Sequence, residues 1–128
     1  TGLTSFEIPD NSIIFAGAVF SDCTNLHKIN FGKNVKIIEH NAFTNCTNLD
    51  TIELPDNLEK MESAVFKDCS NLVNITFGSK ITSIGGSLFT GCSRLSAIYV
   101  IEEHKNVLIE CFKEAKLDKY VDKIKTME

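Results

Sequence analysis

Four cysteines, Cys23, Cys46, Cys69 and Cys92, stand 23 residues apart. Phe20, Phe43, Phe66 and Phe89 keep the same interval, and so do Leu3, Leu26, Leu49, Leu72 and Leu95. Three columns in one phase define a repeat, and a repeat constrains the fold more than composition does. Three residues after each Leu stand Phe6, Ile29, Ile52, Ile75 and Ile98; five after stand Ile8, Phe31, Leu54, Phe77 and Val100. Pro9, Gly32, Pro55 and Gly78 follow. Val35, Leu58 and Ile81 stand nine on, where Ser12 is the exception, and Phe15, Ile38, Met61 and Ile84 twelve on.

The segments "LHKINF", "LDTIEL", "LVNITF" and "LSAIYV" place apolar residues at two-residue spacing, the mark of a strand. Pro or Gly then stops the strand, because proline lacks the ladder amide and glycine permits a sharp turn. The second apolar pair, Val35 with Ile38 in one copy, predicts a return side, and Phe-x-x-Cys closes the turn. No unit buries its own apolar face, whereas stacked units share a core. Four full units from Leu3, Leu26, Leu49 and Leu72, with a partial unit at Leu95, predict a right-handed parallel β solenoid over residues 1–100.

The unit L-x-x-I-x-F/L-P/G, then I, then A/V-F-x-x-C-x-N resembles the BspA-like leucine-rich repeat. Residues 49–71, "LDTIELPDNLEKMESAVFKDCSN", and 72–94, "LVNITFGSKITSIGGSLFTGCSR", carry the resemblance over whole units. It implies a parallel β solenoid on a surface or secreted protein. The better-known members act as adhesins and immunogens that bind matrix or host proteins.

After Val100 the period is lost. Residues 103–125, "EHKNVLIECFKEAKLDKYVDKIK", read as helix, with Val107, Leu108, Cys111, Phe112 and Ala115 on one face. Tyr120, Val121 and Ile124 continue the stripe past a break near Leu117-Asp118. The expectation is a C-terminal helical cap, 101–128, over the last open turn, which solenoids need. A partner-binding or membrane-surface helix is the rival reading, and the mixed acids and lysines disfavour an anionic-membrane anchor. At the other end Leu3 opens a repeat with nothing before it, which predicts an exposed strand edge and self-association unless further repeats precede it.

The 128 residues suit one domain that buries its own core without metals or disulfides. A net charge of −4 argues against nucleic acid. No apolar run reaches the roughly 18–20 residues of a spanning helix. No signal peptide is visible, and the chain starting at Thr1 reads as a processed chain or an excised piece.

The cysteine column invites chemistry. Zinc needs four ligands converging in a tetrahedron, whereas a ladder column is a line of thiols. Bridges between rungs are conceivable by distance but need a torsion that parallel side chains rarely offer. The favoured reading is buried thiols acting as small hydrophobes. The expectation is therefore no metal and no cofactor. Asn25, Asn48 and Asn71 form another column, expected to bond the turn backbone. The glycosylation triplets at Asn45 and Asn74 follow from repeat letters.

Residues one, two and four after each Leu should point outward. That face supplies the candidate protein-binding residues Glu7, His27, Lys28, Asn30, Asp50, Thr51, Glu53, Asn74, Thr76 and Tyr99. Thr4, His27 and Asp50 fall on successive rungs in the order of a hydrolase relay, but no oxyanion hole or enclosing pocket is implied. The leading expectation is non-enzymatic recognition of a host or matrix protein by an adhesin-like surface or secreted protein. A structural spacer is the second reading and a hydrolase at Thr4, His27 and Asp50 the remote third.

Overall fold

The structure is a computed structural model, and it describes residues 4–7, 13–15, 17 and 20–127. Each repeat contributes a strand of three or more residues and a return strand of two. In chain order these are β1 (Ser5–Glu7), β2 (Ile14–Phe15), β3 (Lys28–Asn30), β4 (Ile37–Ile38), β5 (Thr51–Glu53), β6 (Lys60–Met61), β7 (Asn74–Thr76), β8 (Ser83–Ile84) and β9 (Ala97–Ile101). All pair in parallel at the repeat interval: Thr51 lies beside Asn74 and Asn74 beside Ala97 on one side. On the other, Ile37 lies beside Lys60 and Lys60 beside Ser83.

Strand pleating decides which letters go inside. Ile29, Ile52, Ile75 and Ile98 point into the core and are buried, while their neighbours in β3 and β5 are exposed. The Leu, Phe and Cys columns from Leu26 onward are buried as well. Phe6 departs from its column: it is 39% exposed, although its ring lies 4.9 Å from that of Phe20. Phe20, Phe43 and Phe66 stack nearly parallel, with centroids 6.0 and 5.7 Å apart.

Each coil bends at left-handed positions. One column holds Asp22, Asn45, Asp68 and Gly91, with φ of 65°, 65°, 61° and 82°. Asp, Asn and Gly are the residues that tolerate this region. The other column holds Asn41, Ala64 and Ser87, near 60°. At Ala64 the conformation costs about 1–2 kcal/mol, which neighbouring coils offset by holding the turn. Ala64 N–H donates to Gly86 O at 3.0 Å, and Phe66 N–H to Leu88 O at 3.2 Å.

The cysteines do more than fill space. Each thiol donates to the carbonyl of the Phe one coil back: Cys46 to Phe20 O at 2.9 Å, Cys69 to Phe43 O at 3.2 Å and Cys92 to Phe66 O at 3.0 Å. All five cysteines are free and buried. Burial pushes the Cys46 thiol up to about 12 and the Cys92 thiol to about 11, and it raises Cys69 and Cys111 in the same direction. At pH 8 such a thiol carries roughly a thousandfold less thiolate than a free one near 8.5. In folded protein, Cys46, Cys69 and Cys92 should therefore react with Ellman's reagent only as fast as the chain opens, and all five at once in guanidinium. Rapid labelling of these three in the native state would refute the buried ladder.

The tail departs from a plain helix. The helical reading of 103–125 holds for α1 (Lys105–Glu114) and, as 3-10 turns, for Asp118–Lys123; the chain then forms β10 (Ile124–Met127). This strand pairs in parallel with β9, Ile124 beside Ile98, at an interval of 26 residues rather than 23. The tail is thus a further coil with three extra residues and a helix in place of the return strand. Phe112 keeps the phase, 23 residues after Phe89, and its ring lies 6.1 Å from Phe89 and 6.0 Å from Phe77. Position 115, where the next cysteine would fall, is alanine. The Tyr120 hydroxyl instead donates to Phe89 O at 3.2 Å and satisfies the carbonyl that a cysteine would have served.

Helix α1 buries Leu108, Cys111 and Phe112, whereas Val107, expected on that face, is 42% exposed. The helix ends in a Schellman turn: Lys116 is left-handed, Leu117 N–H donates to Phe112 O at 2.7 Å and Lys116 N–H to Lys113 O. At its start His104 Nε2 lies 2.8 Å from Ile81 O. A carbonyl only accepts, so the proton sits on Nε2. Leu3 lies outside the described residues, as do Ile8, Pro9 and Ser12; the strand of that repeat, β1, pairs with β3 and with no other strand among the described residues.

Candidate functional site

The pleat that sends Ile29 and Ile52 inward sends their neighbours out. Thr4, Glu7, His27, Lys28, Asn30, Asp50, Thr51 and Glu53 are all exposed. Towards the tail the face closes over. Asn74, Thr76 and Tyr99 are half-buried, and Ala97, an outward letter of the repeat, is 5% exposed. It lies beside Asn74 in the ladder.

Six of the candidate residues converge. His27, Lys28 and Asn30 from β3 and its approach, with Asp50, Thr51 and Glu53 from β5 and its approach, line a cleft of about 570 Å³. That volume lies within the range of about 300–1,000 Å³ common for ligand sites. Glu7, Asn74, Thr76 and Tyr99 do not line it. The loop residues Lys33 and Asp56, which the strand-face reading missed, complete the rim together with Phe31 and Leu54. Both occupy the position after the strand-stopping Gly or Pro, so the repeat register could have found them. A smaller cleft of about 340 Å³ adjoins, sharing Glu53, Leu54 and Asp56 and reaching Ile101 and Met127.

The relay order is not a relay geometry. His27 and Asp50 share the cleft, but Thr4 is outside it. Among the described residues no hydrogen bond or ion pair joins the side chains of Thr4, His27 and Asp50; the link between the first two is His27 N–H to Thr4 O, 2.9 Å, a backbone bond. Among those residues no group of three or more His, Cys, Asp or Glu could hold a metal ion, and no helix is long and apolar enough to cross a membrane.

The asparagine column is not uniform. Neither Asn48 nor Asn71 makes a side-chain hydrogen bond among the described residues, and Asn48 is exposed. The left-handed column takes that part: Asn45 Nδ2 donates to Asp22 Oδ1 at 3.0 Å. Asn57 Nδ2 also bonds across coils, to Lys33 O at 2.9 Å.

A parallel sheet stacked at one fixed interval, a return sheet and a leucine-bearing core define a leucine-rich repeat solenoid. The BspA-type leucine-rich repeat region matches residues 1–118 in 6 copies, and the chain belongs to that family. Among solved structures, a leucine-rich repeat protein of Bacteroides ovatus is similar over 98% of this chain and 37% of its own length, at 24% identity and a TM-score of 0.78. A leucine-rich repeat protein of T. pallidum is similar over 75% and 45%, at 26% identity and a TM-score of 0.73. A leucine-rich cell surface protein of Faecalibacterium prausnitzii is similar over 82% and 28%, at 25% identity and a TM-score of 0.77. The chain thus spans less than half the length of each. Comparison with curated proteins finds no match.

Proposed function

We propose that the chain is a non-enzymatic protein-recognition segment of a cell-surface or secreted, adhesin-like protein, and that it binds through the exposed strand face between Glu7 and Glu53. One observation carries this reading: a repeat scaffold gathers His27, Lys28, Asn30, Asp50, Thr51 and Glu53 from two coils around one open cleft. Extended repeat faces present such arrays to protein partners. The Faecalibacterium relative, itself a cell surface protein, supports the location. A net charge of −4 gives no electrostatic reason for nucleic acid to bind.

The test is binding of this chain to a panel of immobilised extracellular-matrix proteins, with Lys28→Glu/Thr51→Arg as the paired variant. Both positions are exposed, so the fold tolerates the change. At least one matrix protein should be retained by the native chain, with affinity lowered at least tenfold in the variant. Retention of none favours a spacer that presents other domains, and equal retention of both forms places the binding surface elsewhere.

A further inference from the structure

The strand-side sheet ends in an open edge. Its order is β5-β7-β9-β10, and among the described residues β10 pairs with β9 and with no other strand. Thr126 shows that none of the described residues lies across that edge. Its register partner Val100 is fully buried, and so is Phe77 at the same place one coil earlier, yet Thr126 is exposed. The inward column of the repeat therefore stops at a polar residue in solvent.

Backbone groups line the edge. Tyr99 O accepts from Phe77 N–H at 2.8 Å, so Tyr99 faces β7, and by the alternation of a parallel ladder Ile98 and Val100 face β10. Their register partners are Ile124 and Thr126. In such a ladder the bonds run to the residues flanking each partner, so Lys125 and Met127 meet β9 while Ile124 and Thr126 turn outward. Ile124 N–H agrees with this, since it donates to Val121 O and not to β9. Ile124 O, Thr126 N–H and Thr126 O are left for a further strand, and unpaired edges are templates for one.

The side chains select the partner. Lys125 is exposed beside Tyr99, and among the described residues neither it nor Lys123 forms an ion pair. Asp122 is exposed and pairs with neither lysine, and Glu102 and Glu103 follow Ile101, at the Met127 end of the strand. A second copy paired antiparallel through both Ile124 and Thr126 would set Lys125 opposite its own counterpart, and like charges directly opposite destabilise a sheet. An acidic side chain in that place makes a favourable cross-strand pair.

We propose that the β10 edge adds an extended acidic segment of a partner protein as a further strand, its backbone bonded to Ile124 and Thr126 and an Asp or Glu side chain set beside Lys125. The four residues of β10 span about 13 Å, which engages four or five residues of the partner. This surface is separate from the cleft between β3 and β5, and it stands independently of the recognition reading above.

The experiment is a titration of the uniformly 15N-labelled chain with pools of acetylated, amidated pentapeptides, followed by amide spectra and hydrogen exchange. One pool fixes Glu at the central position, one fixes Lys there, and one is the Glu pool methylated on alternate backbone nitrogens. The Glu pool should shift the amides of Lys125, Thr126 and Met127 and slow exchange at Thr126. The Lys pool should bind at least tenfold more weakly, and N-methylation should abolish binding. Lys125→Glu should reverse the preference between the Glu and Lys pools. Thr126→Pro removes an N–H that β9 does not use, a change that edge strands tolerate, and should abolish binding while the other amides keep their positions.

The proposal fails if millimolar pools move no amide, if the shifts lie away from β9 and β10, or if the methylated pool or the folded Thr126→Pro chain binds as well. Slow exchange of Thr126 N–H in the free chain would show the edge already bonded and overturn it too. Shifts of the same amides with protein concentration alone would assign the edge to a second copy and overturn the acidic partner. Binding of a matrix protein through Lys28 and Thr51 should be unchanged by Thr126→Pro, so the failure of either reading leaves the other standing.

Discussion

Replacing Phe112 by Ala lowers the unfolding free energy by about 3–5 kcal/mol, the range for a buried Phe that leaves a cavity. Phe112 is fully buried, and its ring touches both Phe77 of the last strand side and Phe89 of the last turn. It also begins the Schellman turn that reverses the chain towards Tyr120. Losing it uncouples the tail from the last repeat, and a solenoid is stabilised coil by coil through such contacts. Equilibrium denaturation measures the loss. Amide exchange locates it: β9 and β7 should open before β5. Tyr120→Phe is the smaller companion, removing only the hydroxyl and leaving Phe89 O with the Cys92 N–H as its donor, at a cost of about 0.5–1.5 kcal/mol. A Phe112→Ala loss below about 1 kcal/mol would mean that the tail is an appendage rather than a coil of the stack.

The tail shows where sequence reading reached and where it stopped. The interval of 23 residues predicted parallel strands, their register and their inward letters, because backbone pairing and pleat are set by position alone. Helix α1 was legible from its apolar stripe. The strand that follows was not, since Ile124–Met127 falls 26 residues after its partner, out of phase with the interval of 23. Phe112, in phase with Phe89, was the overlooked signal that the repeat continues in altered form. The stop at Lys116 carried no glycine to mark it, and only the Phe112 and Lys113 carbonyls show why the chain turns there.

The cysteines were placed correctly but understood incompletely. Apolar company predicted burial, yet a column of Sγ–H donors to Phe carbonyls depends on the stagger between coils, which single letters do not encode. The cleft was half legible. Six of its lining residues were candidates because the pleat turns them outward. The strand-side ladder joins β5 to β7 but not β3 to β5. The repeat letters on either side of that gap, "LHKINF" and "LDTIEL", give no warning of it.

Two adjacent glycines offer a sharp contrast in how closely the coils approach. A Cβ at Gly85 would lie 2.7 Å from both Glu62 C and Ser63 Cα, backbone atoms of the preceding coil that cannot swing aside. A Cβ at Gly86 would meet only Ala115 O, at 3.5 Å, an ordinary contact. The same added methyl therefore has opposite consequences one residue apart. Gly85→Ala must force the third and fourth coils apart at their return bend, where Gly85 N–H donates to Met61 O at 2.7 Å, and should destabilise the chain by about 1–3 kcal/mol. Gly86→Ala reduces the freedom of the unfolded chain without a clash and should be neutral or stabilising by up to about 1 kcal/mol. Paired urea denaturation of the two variants decides the matter. Equal effects would mean that the coils are spaced more loosely here than the Gly85 contacts require. A large loss at Gly85 alone would show that the missing side chain sets the stacking distance, in the same way that the column of Leu sets the core.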